Sequence, residues 1–363
     1  MNDRPTRVPV RDDLADLQPY GAPQFDVAVR LNTNETAEPP PAAYLDEVRR
    51  RLAGLELNRY PDRRSTQLRE AIAAQTGLTA DRVWAANGSN EVLHQLLLAY
   101  GGPDRKLVGF RPGYAMYPIL ARVTMTPFHE VELGDDLRVG PAAVAHAVGS
   151  RPDMLILANP NNPTGMTVDA RTIRALHDGT SGLVVVDEAY VEFGGESVLP
   201  LLDELPRLVV VRTFSKAFRL AGLRLGYLLA HDWVVDDIRR VRLPYHLDAM
   251  KQVAAVTALE MRDQFLEHRA RVAIERDRII ACLQAQAGAQ PFPSSANFVL
   301  FRVAQATEVF QGLLDRGVLI RDFSDKPKLQ GCLRVTVGTA DENDAFLAAL
   351  AEVLGAPLVG HRP

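Results

Sequence analysis

Short aliphatic runs alternate with helix-like or turn-rich segments through the middle of the chain, from about residue 82 to residue 240. The runs cover residues 82–86, 106–110, 154–158, 183–186, 208–211 and 225–230. This alternation predicts βα units and a mostly parallel sheet covered by helices on both faces. Ligands of such sheets bind beyond the carboxyl ends of the strands. We expect a site there, because polar sequences follow the runs: "NGSNE", "RPGY", "NPNNPTG", "DEAY" and "TFSK".

The sequences on either side of this alternation predict how the chain divides into domains. Residues 1–40 are mostly polar and irregular, and we expect them to join a small domain and cover the active site. Residues 41–245 are predicted to form a large domain. Residues 246–363 are predicted to contain a long interdomain helix and a small α/β domain, because strand-like and helix-like patterns alternate there up to a final helix.

Composition and charge exclude several classes of function. The chain has 363 residues, of which 47% are hydrophobic, so it can bury a large core. Its net charge of -4 arises from interspersed charges of both signs, which predicts no nucleic-acid partner. Cys282 and Cys332 lack CxxC spacing and a neighbouring histidine cluster, so we expect free thiols and no metal site. The lack of an apolar leader or a membrane-length stretch predicts a soluble, cytoplasmic protein with no membrane partner.

Lys216, which follows the aliphatic run at residues 208–211, is the first candidate catalytic residue. An amine at the end of a buried strand is partly desolvated, and desolvation lowers the pKa of lysine toward the neutral form that attacks carbonyl groups. Lys216 is therefore a candidate Schiff-base lysine. A solitary lysine after a strand is more often solvated, so the neighbouring polar sequences decide between these interpretations.

Asp187 ends the neighbouring run and is a candidate partner for a protonated ring nitrogen. A carboxylate there can hold a pyridinium, which makes the ring an electron sink. Tyr190, three residues further on, can offer its phenol to an oxygen of the same ring. The alternative is that Asp187 only caps the following helix.

Two turn sequences supply further hydrogen-bond donors. "NPNNPTG" contains Asn159-Pro160 and Asn162-Pro163, and turns of this kind hold an asparagine amide rigidly. "NGSNE" places the amides of Gly88, Ser89 and Asn90 at the start of a helix. Unpaired N–H groups and the helix dipole bind anions such as phosphate at that position.

Ser215 and Arg224 are expected to complete the phosphate site, with Arg224 as a permanent charge that offers paired donors. An imine-forming lysine, an acid for a ring nitrogen and a phosphate site together describe one cofactor. We therefore predict that this chain binds pyridoxal phosphate.

Ordered motifs along nearly the whole chain resemble those of the fold-type I pyridoxal-phosphate aminotransferases, and within them the histidinol-phosphate aminotransferase family. The motifs are "YGAPQ", "LNTNE", "RYPD", "NGSNE", "NNPTG", "DEAY", "SKAF", "LAGLRLGY", "NFVLF", "RVTVG" and "ENDAFL". The resemblance implies an aspartate-aminotransferase-like α/β fold, with a mostly parallel sheet sandwiched by helices in the large domain and a smaller α/β domain. It implies amino transfer from L-histidinol phosphate to 2-oxoglutarate, which yields imidazole-acetol phosphate and glutamate in histidine biosynthesis.

The resemblance also implies roles for residues at matching positions. Lys216 would bond to the cofactor, Asp187 would bind the ring nitrogen, and Tyr114 would stack on the ring. Asn162 and Tyr190 would bind the ring hydroxyl. The implied cofactor-binding set is Gly88, Ser89, Asn90, Tyr114, Asn162, Asp187, Tyr190, Ser215, Lys216 and Arg224, with Tyr60 of the partner subunit. The resemblance thus implies a homodimer with shared active sites.

For the substrate, the resemblance implies arginines that bind oxyanions. Arg334 would anchor a carboxylate with help from Asn34, and Tyr20 and Arg321 would lie near the phosphate of histidinol phosphate. Guanidinium groups suit both substrates because they pair with either oxyanion in forked geometry. "RLPYHL" would place Tyr245 and the histidine that follows it near the pocket.

Three alternatives stand beside this interpretation. Aromatic-amino-acid aminotransferases share almost every cofactor motif, and those motifs say little about side-chain specificity. A decarboxylase of a phosphorylated amino acid is a second alternative on the same scaffold. A non-catalytic cofactor-binding regulator is disfavoured, because such proteins usually carry a fused DNA-binding module and the irregular residues 1–35 leave no room for one.

One residue departs from the family's pattern. Arg219 stands in "SKAFRLAG" at a position where relatives more often have a small residue. We expect Arg219 to alter the loop after Lys216 and to add positive charge near the cofactor phosphate.

Overall fold

The computed structural model describes residues 8–355, in which the strands form three sheets. The strands in chain order are β1 (Val29–Arg30), β2 (Val83–Ala86), β3 (Leu107–Arg111), β4 (Phe128–Glu132), β5 (Met154–Ala158), β6 (Leu183–Asp187), β7 (Leu208–Thr213), β8 (Gly226–Leu229), β9 (Ala289–Pro291), β10 (Phe298–Val303), β11 (Val318–Leu319), β12 (Arg321–Asp322) and β13 (Cys332–Thr336). The largest sheet has the strand order β2-β8-β7-β6-β5-β3-β4. All its pairs from β7 to β4 are parallel, whereas β8 runs antiparallel to β7 and β2. The predicted mostly parallel sheet is confirmed.

Continuous aliphatic runs form the central strands of this sheet. Val184 and Val186 of β6 pack into the core on one face, and Val185 packs into a second core on the other face. Burial on both faces is typical of parallel strands in α/β proteins. The sequence did not predict β4, because this edge strand lacks a continuous aliphatic run and only Val131 in it is buried.

Helices cover both faces of the large sheet and connect it to the rest of the chain. They are α1 (Ala42–Leu52), α2 (Thr66–Thr76), α3 (Ser89–Tyr100), α4 (Met116–Val123), α5 (Pro141–Gly149), α6 (Ala170–Gly179), α7 (Asp232–Val241), α8 (Ala249–Glu260), α9 (Arg262–Leu266), α10 (Arg269–Ala285), α11 (Ala306–Asp315) and α12 (Ala340–Val353). The long helical stretch expected near residues 249–286 is divided into three helices: the backbone leaves helical geometry at Met261, between α8 and α9, and residues Glu267 and His268 separate α9 from α10. Among residues 8–355, no helix combines the length and apolarity that a bilayer crossing needs.

The C-terminal part of the chain forms a four-stranded antiparallel sheet in the order β12-β13-β10-β9. The N-terminal segment joins this region through the parallel pair β1 and β11, and Leu31 continues the contact by bonding to the backbone of Leu319 and Thr336. Residues 32–40 then run from this sheet to the end of the large sheet. The predicted boundaries at residues 40 and 245 remain a prediction.

The register of the large sheet places three polar loops beside one another. Ala158 at the end of β5 lies opposite Asp187 at the end of β6, and Asp187 lies opposite Val211 of β7. Carboxyl ends of parallel strands meet at one edge of a sheet, which is where ligands bind. The loops "NPNNPTG", "DEAY" and "TFSK" therefore converge, and both Asn-Pro peptide bonds of the first loop are cis.

A buried ion pair between Glu188 and Arg212 stabilises this edge of the sheet. The Glu188 side chain is 0% exposed, and its Oε2 accepts hydrogen bonds from Nε and Nη2 of Arg212 at 3.0 and 2.9 Å. The backbone N–H of Val198 donates to Oε1 of Glu188 at 2.6 Å, and Ser197 donates from its hydroxyl. Because Glu188 follows Asp187 directly, the pair holds the backbone on which the Asp187 carboxylate is presented.

Arg212→Met should destabilise the protein by about 3–5 kcal/mol, because it leaves the Glu188 carboxylate buried without its cation. Urea denaturation followed by tryptophan fluorescence measures the change. Arg174→Met is the matched control, since Arg174 pairs with Glu204 at the exposed surface, where solvent screens the attraction. Equal midpoints for the two variants would contradict the role given to Glu188.

Candidate active site

A cavity of about 600 Å³ opens at the carboxyl ends of β5, β6 and β7. This volume is typical of sites for cofactors and small metabolites. The lining includes these residues predicted from the sequence: Tyr20, Asn34, Ser89, Asn90, Tyr114, Asn162, Asp187, Tyr190, Ser215, Lys216, Arg224, Arg321 and Arg334. Residues separated by up to 314 positions in the chain thus meet in one place, which we call the active-site cavity.

The Asp187 carboxylate forms the deep end of the cavity. Its Oδ2 accepts a hydrogen bond from the hydroxyl of Tyr117 at 3.3 Å, and its Oδ1 accepts one from the backbone N–H of Ala189 at 3.2 Å. Burial raises the pKa of Asp187 to about 6, because a low-dielectric surrounding disfavours the charged carboxylate. A buried carboxylate of this kind is stabilised by a cationic donor such as a protonated pyridine nitrogen.

The Lys216 amine also lines the cavity. Its Nζ donates to the backbone carbonyls of Thr33 and Asn34 at 3.0 and 2.9 Å and lies 5.5 Å from the ring centre of Tyr190. Burial lowers the pKa of Lys216 to about 7, and the positive charge of Arg334 acts in the same direction. A large fraction of the amine is therefore neutral at physiological pH, which is the form that attacks a carbonyl carbon.

A hydrogen-bond network links Tyr190 to Arg334 through Asn162. The Tyr190 hydroxyl accepts from the side-chain amides of Asn34 at 3.0 Å and Asn162 at 3.4 Å. The amide oxygen of Asn162 in turn accepts from Nη1 of Arg334 at 2.5 Å, while Nη2 of Arg334 donates to the backbone carbonyl of Asn32 at 2.9 Å. The network orients the Tyr190 phenol and one arginine toward the same space.

The start of α3 forms an anion cradle. Gly88 precedes the helix with a φ of +89°, and the amides of Ser89 and Asn90 open the first turn. Arg224 donates from Nη1 to the Ser215 hydroxyl at 3.4 Å, and a Cβ at Gly88 would lie 3.1 Å from Nη2 of Arg224. Amides, hydroxyl and guanidinium therefore surround one small space, which suits a phosphate group.

A glycine on β8 permits this cradle. A Cβ at Gly226 would lie 2.3 Å from the amide nitrogen of Ser89 and 2.6 Å from the carbonyl carbon of Gly88. No side chain fits between the strand and the helix start at that distance. The "GY" of "LAGLRLGY" therefore allows the close approach that forms the phosphate site.

Tyr114 supplies an aromatic wall. Its ring makes an edge-to-face contact with Tyr117, with ring centres 5.4 Å apart, and its hydroxyl donates to the amide oxygen of Asn90 at 3.3 Å. Burial raises the pKa of the Tyr114 phenol, so it remains neutral. A planar ring ligand between this wall and Lys216 would reach Asp187 at one end and the cradle at another.

Four residues that we expected at the pocket are not among those that line the cavity of their own chain: Gly88, which adjoins Ser89 of the lining, and Tyr60, Tyr245 and His246. Tyr60 is 79% exposed and stacks on Tyr245, with ring centres 4.3 Å apart. His246 stacks on Trp84, and its Nε2 lies 2.9 Å from the carbonyl oxygen of Ala85. Tyr60 and Tyr245 lie together at the surface instead, and a role in a shared site stays a prediction.

Arg219 does not add charge to the phosphate site, so that expectation was wrong. Its backbone has a φ of +55°, and its guanidinium turns away to donate to Nδ1 of His268 at 2.9 Å and to pair with Glu38 at 3.3 Å. These contacts tie the loop after Lys216 to α10 and to the N-terminal segment. Arg219 thus fixes the loop without lining the cavity.

Sequence reasoning missed several residues of the site. Tyr117, which bonds to Asp187, lies three residues after Tyr114 at the start of α4, and that helical spacing is the signal that could have found it. Phe298 and Phe323 also escaped notice, although the Arg334 guanidinium lies 5.0 and 5.3 Å from their ring centres. Phe298 belongs to the motif "NFVLF", but no spacing in the sequence places either ring beside Arg334, since the contacts arise from the pairing of β13 with β10 and β12.

The residues present fit a phosphorylated pyridine aldehyde. The cavity offers a buried carboxylate for a ring N–H, donors for a ring hydroxyl, an amine for an aldehyde carbon and a cradle for a phosphate. Each of these groups occurs at a different side of the same space. Among residues 8–355, no cluster of three histidine, cysteine or acidic side chains could hold a metal ion.

Comparisons with known proteins agree with this chemistry. A family model described as "Aminotransferase class I and II" matches residues 26–350. The chain belongs to the class I and II aminotransferase family.

Within that family, the chain is similar to histidinol-phosphate aminotransferases. The enzyme of that name from Frankia casuarinae is 47% identical over 99% of this chain and 95% of the relative. The one from Streptomyces avermitilis is 48% identical over 95% of this chain and 96% of the relative. The crystal structure of histidinol-phosphate aminotransferase from Sinorhizobium meliloti in complex with pyridoxal-5'-phosphate has a TM-score of 0.87 and 26% identity, covering 96% of this chain and 99% of that one. The predicted family and fold class are confirmed.

The rate at which the cofactor-free protein captures pyridoxal phosphate should rise with pH through about 7 and level off above it. The reason is that Lys216, with its pKa lowered to about 7, loses its proton there, whereas an exposed lysine titrates near 10.4. Stopped-flow absorbance measures this rate. Arg334→Gln should move the midpoint to higher pH, because it removes a positive charge that disfavours protonation. A rate that keeps rising to pH 10 in the unaltered protein would contradict the assignment.

Proposed function

We propose that this protein is a pyridoxal-phosphate-dependent aminotransferase that moves the amino group of L-histidinol phosphate to 2-oxoglutarate. The products are imidazole-acetol phosphate and glutamate, in the biosynthesis of histidine. The observation that carries the proposal is a pair of arginines, Arg321 and Arg334, which lie opposite each other on β12 and β13 and line the cavity beside Lys216. The names of the relatives support the same substrate.

The cofactor, when bound, supplies a protonated ring that delocalises the electron pair left on the substrate carbon. Asp187 would hold the proton of the ring nitrogen, and Tyr117 and Ala189 keep that carboxylate in place. Asn162 and Tyr190 would orient the ring hydroxyl. Gly88, Ser89, Ser215 and Arg224 would hold the phosphate.

Lys216 moves the proton. With cofactor and substrate bound, the free amine of Lys216 would take the proton from the substrate Cα and would deliver it to the former aldehyde carbon of the cofactor. A pKa near 7 suits this task, because the group must both accept and release a proton at physiological pH. The carbonyls of Thr33 and Asn34 hold the free amine within reach.

One cavity must accept a phosphate ester in one half-reaction and a dicarboxylate in the other. Arg334 has a fixed guanidinium, held by Asn162 and by the carbonyl of Asn32, and it can pair with a phosphate in one half-reaction and with a carboxylate in the other. Arg321 adds a second guanidinium, which matters more for a phosphate because a phosphate carries nearly two charges at neutral pH. Tyr20 and Asn34 line the same part of the cavity.

The half-reaction with histidinol phosphate tests the proposal against the aromatic aminotransferase. We expect kcat/KM for L-histidinol phosphate to exceed that for L-phenylalanine by at least about 30-fold, because a buried charge pair contributes about 2–5 kcal/mol. The measurement follows the cofactor absorbance in a single turnover at equal substrate concentrations. Lys216→Ala should show no turnover with either amine.

An equal or higher kcat/KM for phenylalanine would overturn the proposed substrate. Arg321→Gln should reduce the preference for histidinol phosphate, whereas Arg302→Gln, whose guanidinium lies 5.4 Å from the Phe292 ring outside the cavity lining, should not. Release of carbon dioxide from a phosphorylated amino acid, without consumption of 2-oxoglutarate, would instead indicate a decarboxylase.

We also propose a homodimer with shared active sites. Several large apolar side chains are exposed together with Tyr60: Leu57 is 67% exposed and Leu243 is 76% exposed. The Tyr60–Tyr245 stack lies in these same two chain regions. An exposed apolar surface of this kind is typical of a contact with another protein, and Tyr60 of the partner subunit would then reach the cofactor phosphate.

A hybrid dimer tests whether Tyr60 acts across the subunit boundary. Tyr60→Ala should reduce activity by about 10- to 100-fold, because a hydrogen bond to a charged group contributes about 1.5–3 kcal/mol. Lys216→Ala should be inactive. Dimers formed from one chain of each variant contain one intact site if Tyr60 serves the other subunit, so unfolding and refolding the mixture should restore up to about a quarter of the unaltered activity. A mixture that stays inactive would contradict the shared site.

A further inference from the structure

Phe323 lies between the two arginines of the substrate site. The centre of its ring is 5.3 Å from the Arg334 guanidinium carbon and 5.9 Å from that of Arg321. Phe323 follows β12 directly, and it lines the active-site cavity with both arginines. The ring is therefore a shared contact of the two cations that face the substrate.

The two arginines are close enough to repel each other. Arg321 on β12 is the direct partner of Arg334 on β13 in the antiparallel register, so their side chains leave the same face of the sheet. Like charges in that arrangement are destabilising in the absence of an anion. The negative face of an aromatic ring offsets part of this repulsion, because it attracts a guanidinium within about 6 Å.

The two arginines differ in how else they are held. Arg334 bonds to Asn162 and to the carbonyl of Asn32, and it also lies 5.0 Å from the ring centre of Phe298. Within residues 8–355, the Arg321 guanidinium has no hydrogen-bond acceptor and no carboxylate partner, and its one aromatic contact is Phe323. Loss of the Phe323 ring would therefore release Arg321 and leave Arg334 in place.

Phe323 itself is well anchored. Its backbone N–H donates to the carbonyl of Cys332 at 3.0 Å, and its side chain packs on a small apolar cluster that includes Leu300 and Leu329. The ring is thus a rigid surface against which a long, flexible arginine can lie. Its position is set by the small sheet and not by the ligand.

We infer that Phe323 is a positioning residue that holds Arg321 toward the phosphate of the substrate and so favours phosphate-bearing amines over simple amino acids. The inference rests on the proposed function for the identity of the substrate. The phosphate carries nearly two charges on one group and engages both guanidinium groups, whereas each carboxylate of glutamate carries one charge, and the fixed guanidinium of Arg334 serves the carboxylate beside it. Phe323 therefore acts on one half-reaction more than on the other.

Phe323→Leu should lower kcat/KM for L-histidinol phosphate by about tenfold, mainly through KM, which corresponds to about 1.4 kcal/mol at 25 °C. The glutamate half-reaction should fall by no more than about threefold. Inorganic phosphate, used as a competitive inhibitor of the glutamate half-reaction, should bind the variant about tenfold more weakly. The inhibition by phosphate separates this inference from the proposed function, since it does not depend on turnover of histidinol phosphate.

Two further variants control for damage to the fold. Phe292→Leu makes the same substitution at a ring that also faces an arginine, Arg302, in the same apolar cluster but outside the cavity lining, and it should leave both half-reactions and phosphate inhibition unchanged. Phe323→Tyr keeps the ring and should restore phosphate inhibition to within about twofold of the original.

Unchanged phosphate inhibition in Phe323→Leu would overturn the inference, as would equal losses in the two half-reactions. If the unaltered protein fails to turn over histidinol phosphate but Phe323→Leu still weakens inhibition by phosphate, the proposed function fails and the positioning role stands.

Discussion

The parallel pairing of β6 with β7 is the constraint on which the site depends. Each strand is a run of aliphatic residues that is buried on both faces of the sheet, and their register sets Asp187 opposite Val211. The pairing brings the end of one strand, at Asp187, beside the loop that carries Lys216. An acid and an amine that are separated in sequence thereby face one cavity, at the edge where ligands of α/β sheets bind.

Burial prepares both groups for the same ligand. It raises the pKa of Asp187 to about 6 and lowers that of Lys216 to about 7, because a low-dielectric surrounding disfavours either charge. A pyridinium nitrogen would supply a cation for the carboxylate, and an aldehyde carbon would react with the amine in its neutral form. Tyr190, with its pKa raised by burial to about 12, stays protonated between them. The protein's own fold therefore gives Asp187 and Lys216 the ionisation behaviour that suits the cofactor.

The main features were predictable from sequence because they are local. Aliphatic runs predicted the central strands, and the polar residues that follow them, such as Asp187 and Lys216, predicted the cavity. Features that depend on long-range packing were not predictable. Arg219 turns toward His268, which directly precedes α10, and Phe323 meets Arg334 only because β12 pairs with β13. Neither contact can be inferred from the spacing of residues along the chain.

A crystal structure of the protein with pyridoxal phosphate tests the central claim most directly. The account predicts continuous density from Nζ of Lys216 to the aldehyde carbon of the cofactor, and a carboxylate oxygen of Asp187 about 2.6–3.2 Å from the ring nitrogen. A cofactor bonded to a different lysine, or a ring whose nitrogen points away from Asp187, would contradict it.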